Sequence, residues 1–262
     1  MEYKNLLFTV EERVCKVTLN RPELHNAMNR ALLDELRAAF DSVAQLERGQ
    51  VRAVVLSGAG KSFSAGADIN WMRASLDFSE EDNVADALAL ARTFESIDTC
   101  PVPVIARIEG AALGGGVGLA AVADIVVAAE NAKFAFSEAK LGIAPAVISP
   151  YVLSKIGRSH ARALFFTAER FSAERALEIG LVHIVVPPES LDSEVDRLVN
   201  ELKSSGPSAI ARAKMLIATV PALAPDDAMQ FTAETIAALR VSPEGQEGLH
   251  AFLEKRKASW AE

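Results

Sequence analysis

Residues 110–129, GAALGGGVGLAAVADIVVAA, limit the fold more than any other stretch of this chain. Gly114, Gly115 and Gly116 run into Val117, Gly118 and a small apolar segment that ends at Asp124. The pattern predicts a buried helix followed by a strand, DIVVAA, over 124–129. A glycine costs a helix about 1 kcal/mol relative to alanine, so a helix that opens on glycines needs a reason. Two are available: tight packing against a neighbouring strand, or close approach of bare N–H groups, at the positive end of a helix, to a ligand. A membrane span is excluded, because Glu109, five glycines and Asp124 break up the apolar run that bilayer crossing requires.

The rest of the chain alternates between strand and helix signals. RVCKVTL (13–19) predicts a strand, and VRAVVLS (51–57) and VPVIARI (102–108) predict buried strands. Asn26 or Asn29 can cap a helix over 29–48 with Leu32, Leu33, Leu36, Phe40, Val43 and Leu46 on one face. A polar, glycine-bearing loop (57–70) and a helix near 82–98 lie between the buried strands, and a short strand at 133–136 leads to Glu138. Ser172 caps a helix that stops at Gly180, and LVHIVV follows as a strand. This alternation from about 10 to 187 defines an α/β fold. After Pro187-Pro188 the pattern is helical only, so a core over 1–188 and a helical C-terminal region over 189–262 are expected. In that region Pro243 opens a helix behind Ser242, and Lys255, Arg256 and Lys257 stand where they would complement its dipole. Its Leu249, Phe252, Leu253 and Trp260 require a covering surface.

Several function classes drop out. A net charge of −8 argues against nucleic acid as a partner. No basic region followed by an apolar one opens the chain, so a cytoplasmic setting is expected. Cys15 and Cys100 read as buried thiols, and His25, His160, His183 and His250 are too scattered to suggest a metal. GAGKS (58–62) lacks the earlier glycine of a phosphate loop, since residue 55 is valine. Neither GxGxxG nor GxSxG occurs. Two loop-to-helix junctions remain, SFSAGADI (62–69) and GGGVG (114–118), together with Glu138 in the apolar stretch FAFSEAKLGIAP. Two N–H groups aimed at one point would form an oxyanion hole, although spacing alone is equally compatible with helix–strand packing. A carboxyl in apolar surroundings can carry protons near neutrality.

Taken in order, NRPELHNAMN (20–29), FSAGADI (63–69), residues 110–129, FAFSEAKLGIAP (134–145), TAERFSAERALEIGLVHIVV (167–186) and AFLEKRKASW (251–260) resemble the crotonase (enoyl-CoA hydratase/isomerase) superfamily. The resemblance covers nearly the whole chain. It implies a ββα spiral core and a helical trimerisation tail, assembled as a homotrimer or a dimer of trimers. It also implies an acyl-CoA thioester substrate, with coenzyme A as part of the substrate and no separate cofactor or metal. By motif position, the N–H groups of Ala67 and Gly115 would hold the thioester oxygen and stabilise an enolate. Ala65, Ala67, Asp68, Ile69, Asn70 and Gly115 would lie along the CoA, with Phe252 and Lys255 reaching its nucleotide end. Glu138 matches one of the two glutamates of the hydratases, and Gly118 stands where the other would be. The segment SEAKLGIAPAVISPYV (137–152) resembles bacterial methylglutaconyl-CoA hydratase-like members, and Val147, Ile148 and Tyr151 are expected to line the acyl pocket. The expected function is hydration of a branched or carboxylated 2-enoyl-CoA. A single-glutamate double-bond isomerase and a non-catalytic CoA-binding protein are the alternatives. No nucleic-acid or membrane partner is expected.

Overall fold

A computed structural model describes residues 3–261. In chain order its elements are β1 (Leu6–Glu11), β2 (Val14–Leu19), α1 (Arg30–Ala44), β3 (Ala53–Gly58), β4 (Ser62–Ser64), α2 (Ile69–Ala74) and α3 (Glu80–Asp98). They continue with β5 (Val104–Ile108), β6 (Ala111–Leu113), α4 (Gly115–Val122), β7 (Ile125–Ala129), β8 (Lys133–Ala135), α5 (Ser149–Thr167), β9 (Phe171–Ser172) and α6 (Ala173–Glu178). The chain closes with β10 (Ile184–Val186), α7 (Leu191–Ser204), α8 (Pro207–Thr219), α9 (Pro225–Val241) and α10 (Pro243–Glu254).

The strands form two sheets. The larger has the order β1-β2-β3-β5-β7-β10 and the smaller β4-β6-β8-β9. All neighbours are parallel except β1 with β2 and β8 with β9. Successive turns of chain lay a strand in the large sheet, the next strand in the small one, and then a helix: β3–β4–α2, β5–β6–α4, β7–β8–α5. This is a ββα spiral. The sequence pattern missed β1, because that strand buries only Leu6 fully and shows no apolar alternation.

Asn29 is the residue that caps α1, accepting the Leu32 N–H at 2.9 Å. Asn26 instead binds the loops, donating to Ala59 O and Ser62 O. The helix ends at Ala44, not near 48, so Leu46 lies beyond it and is 40% exposed rather than on the buried face. One apolar cluster joins α1, α3, α4 and α5 to the sheets, through Leu33, Phe40, Phe94, Val117 and Val152 among others. On the opposite face of the large sheet, Leu191, Val195 and Val199 of α7 pack against Val14, Ala53, Val55, Ile105 and Val127. Buried Arg52, at the edge of β3, donates to the carbonyls of Leu202, Ser205 and Trp260. Trp260 in turn donates to Ser204 O at 3.1 Å, so it is held within the chain. Ser242 caps α10 as expected, but Lys255 is its left-handed terminus and Arg256 folds back onto Glu247 and Glu254 rather than lying in the last turn. Cys15 and Cys100 are free and buried. Among the described residues, no helix is long and apolar enough to cross a membrane.

Candidate active site

The small sheet brings the site together. β4, β6 and β8 are parallel neighbours, with Ser64 opposite Ala112 and Leu113 opposite Ala135. Parallel strands end on the same side, so the segments leaving these three strands emerge side by side. They carry Ala67, Gly115 and Glu138, all within four residues of a strand end. Gly114 N–H continues the pairing past β6 by donating to Ala135 O at 2.8 Å.

Ala67 forms a parallel bridge with Met28. Its two bonds are Met28 N–H to Gly66 O, 2.6 Å, and Asp68 N–H to Met28 O, 2.8 Å. In such a bridge the neighbours of the paired residue make the bonds, and its own N–H faces the other way. The Ala67 N–H therefore points away from Met28. The preceding residue, Gly66, sits at φ 88° close to the start of α4: a Cβ placed on it would be 3.6 Å from Gly115 N. Gly115 is the first residue of α4, and its N–H belongs to the helix-end donors that no helical carbonyl can reach. Among the described residues, neither the Ala67 nor the Gly115 N–H donates to a protein acceptor.

The glycines of the run have separate tasks. Gly114 turns the chain at φ 50°. A side chain on Gly116 would stand 2.5 Å from Ser64 O, so this residue is what lets α4 close onto β4. Tight packing thus accounts for Gly116, and Gly115 beside it carries an N–H without a protein acceptor among the described residues.

Asp68 caps α2 by accepting the Asn70 N–H at 2.8 Å, and it pairs with Arg21 at 2.8 Å. Their side chains are only 6% and 11% exposed. Burial pushes the Asp68 carboxyl up, but the Arg21 and Asn70 hydrogen bonds together hold it below the ordinary carboxylate range. Arg21 also donates to Ala27 O at 2.5 Å, so one guanidinium fastens both loops that meet at the Met28–Ala67 bridge. The sequence motifs contained Arg21 but gave it no role; an arginine placed ahead of a glycine-rich loop carrying an aspartate was the available signal.

Glu138 sits on a 3-10 turn, Ser137–Leu141, that ends at left-handed Gly142. Its Oε1 lies 3.3 Å from where a Cβ on Gly114 would be, and its buried Oε2 has no hydrogen-bond partner. Burial pushes its pKa above the ordinary glutamate range. Gly118, within α4, is buried, and a Cβ placed on it would meet carbons of Ile148 and Phe94. The Tyr151 ring packs on Phe94 with centroids 6.1 Å apart, and half-buried Val147 joins the same cluster.

The remaining expected contact residues divide into two groups. Ala65 is tied down by its N–H to His25 O, 2.9 Å, while Ile69 is 72% exposed and Asn70 stands exposed beside it. Phe252, on α10, and Lys255, just past its end, make no hydrogen bond or ion pair with the 65–70 segment among the described residues. A cavity of about 190 Å³ between the end of α1 and α8 shares none of these residues. Among the described residues, no group of three His, Cys, Asp or Glu is placed to hold a metal ion.

The two-sheet spiral with free N–H groups at the ends of β4 and β6 is the crotonase fold. Residues 9–262 match the enoyl-CoA hydratase/isomerase family, and the chain belongs to it. It is similar in structure to an enoyl-CoA hydratase from Shewanella pealeana (TM-score 0.95, 39% identity, covering 99% of this chain and 97% of that one). It is also 36% identical to the crotonyl-CoA hydratase of Syntrophomonas wolfei over 99% of both chains, and 35% identical to the short-chain-enoyl-CoA hydratase of Clostridium acetobutylicum over 98% and 97%.

Proposed function

We propose that this protein adds water across the double bond of a branched or carboxylated 2-enoyl-CoA, of methylglutaconyl-CoA-like shape. The observation that supports the reading is that the segments leaving three neighbouring parallel strands carry two N–H groups without a protein acceptor, Ala67 and Gly115, and a carboxyl with an unpartnered buried oxygen, Glu138. In this reading the thioester oxygen accepts from both N–H groups. Water oxygen bonds to C3, the C2–C3 π pair moves toward the thioester, and the oxygen develops enolate charge. One such donor is worth about 3 kcal/mol of barrier. Neutral Glu138 gives its proton to C2, and the proton released by water returns to the carboxylate, so the enzyme is regenerated. Ala65, Asp68, Ile69 and Asn70 would run along the CoA, with Phe252 and Lys255 toward its nucleotide end.

A second reading is favoured by Gly118. With one carboxyl beside C2, a proton can be shuttled between C2 and C4 instead, which is double-bond isomerisation. Incubation of the pure protein with 3-methylglutaconyl-CoA and with a 3-enoyl-CoA separates the two. Hydration of the first without a double-bond shift in the second removes the isomerase reading; the reverse result removes the hydratase. Binding of both without turnover would leave a CoA-binding protein.

A further inference from the structure

We infer that Ile148 is a specificity-determining residue that supplies, from α5, the side chain α4 lacks at position 118; this rests on the acyl-CoA reading above. A Cβ on Gly118 would stand 2.3 Å from Ile148 Cγ2, 3.2 Å from Ile148 Cβ and 2.9 Å from Phe94 Cζ. Contacts under 3.0 Å cannot persist, so the space above Gly118 is already filled. Neither neighbour can withdraw cheaply. Ile148 is 3% exposed and is the residue from which α5 starts, with its carbonyl accepting the Val152 N–H at 3.1 Å. The next residues pin it as well: Ser149 bonds Ala146 O through both N–H and hydroxyl, and Pro150 follows. Its β-branch restricts rotation, and turning the side chain leaves its Cβ in place. Phe94 is fully buried on α3, with Tyr151 against it.

Gly118 lies four residues after Gly114, which immediately precedes α4, and a Cβ on Gly114 would stand 3.3 Å from Glu138 Oε1. The residue that Ile148 covers, Gly118, thus lies on the same short segment of chain as the residue that faces the acid/base carboxyl. Ile148 presents carbon where a second carboxylate would stand. The ligand chemistry that suits it is an uncharged hydrocarbon substituent at C3, such as a methyl branch, packed against a γ-methyl. A charged or hydroxylated group at that place would lose its water without gaining a partner.

The experiment is a set of variants measured two ways. Gly118→Ala is made alone and with Ile148→Ala, Ile148→Leu or Ile148→Val. Val keeps the colliding γ-methyl; Ala and Leu lack the β-branch, and Leu keeps the volume should Ala fold poorly. Thermal unfolding should show Gly118→Ala lowering Tm by at least 4 °C on its own and in the Val background, and by less than half as much in the Ala or Leu background, to about these sizes. Additive losses in every background overturn the inference. Calorimetric Kd values for 3-methylcrotonyl-CoA and crotonyl-CoA give the second readout. Ile148→Ala should change their ratio by roughly tenfold, the increment expected for removing apolar groups from a pocket, and a ratio unchanged within about twofold overturns it. Absence of hydration with a shifted Kd ratio rejects the proposed reaction while sustaining the role of Ile148.

Discussion

Glu138 has an unpartnered buried oxygen and a pKa raised by burial. Its folded form holds a proton more tightly than the unfolded chain, so its contribution to stability is complete below about pH 4.5 and is lost as pH rises through the raised folded value. Glu138→Gln should therefore raise Tm by about 1–3 °C at pH 7.5, a modest figure because the group is partly solvated, and by less at pH 4.5. The same change should lower turnover at least about a hundredfold with thioester affinity retained. Calorimetry at both pH values and steady-state kinetics check it; full activity in the variant would falsify the role of Glu138. Arg21 gives a second residue-scale prediction. Arg21→Met leaves Asp68 buried and unpaired, and should cost about 3–5 kcal/mol. Asp68→Asn in the same background should recover part of it, as read by denaturant titration.

At the scale of elements, α4 is the part on which position matters most. In the proposed reaction its first N–H serves only if the helix closes onto β4, and Gly116 is what permits this, with Ser64 O 2.5 Å from its missing side chain. Gly116→Ala should displace the helix, lower Tm, and reduce kcat by about tenfold or more, with a smaller effect on KM. An alanine variant with unchanged kcat would mean that α4 can shift without moving Gly115. Most elements were legible in the chain, since apolar periodicity and caps at Asn29, Ser172 and Ser242 announce them. β1, β4, β6, β9, α2, α5 and the end of α1 were not: β1 is mostly exposed, β4, β6 and β9 are two or three residues long, with β4 and the start of α2 inside the stretch read as a loop, and α1 stops before Leu46 for reasons outside local pattern. The two glycine-bearing junctions and Glu138 stood out in the chain, but the choice of Ala67 and Gly115 within those junctions came only from family resemblance. Nothing in the spacing of residues 67, 115 and 138 indicates that β4, β6 and β8 are neighbours.

At the scale of the molecule, α8, α9 and α10 expose Ile217, Met229, Ile236, Val241, Leu249 and Leu253. Surface of this kind on three successive helices supports the proposed homotrimer or dimer of trimers. Light scattering should return three or six times the 28.0 kDa chain mass. Ile236→Glu combined with Leu253→Glu should shift it toward one, whereas a monomeric parent protein refutes the assembly. The tail is also tied to the C-terminal end of α4. Lys214 of α8 pairs at 2.8 Å with Asp124, just past α4, and Asp124 accepts the Val104 N–H at 2.7 Å. From α5, Lys155 donates to Ala123 O at 2.7 Å.

By itself the sequence determined the α/β class, most helices and strands, the family, and the loss of one carboxylate at Gly118, because these depend on local pattern and residue identity. Only the tertiary structure decided what the glycines do, since a free N–H depends on which strand lies alongside. It also decided that Ile148 and Phe94 fill the space over Gly118, since the loss of a side chain in one helix says nothing about which neighbour takes its volume.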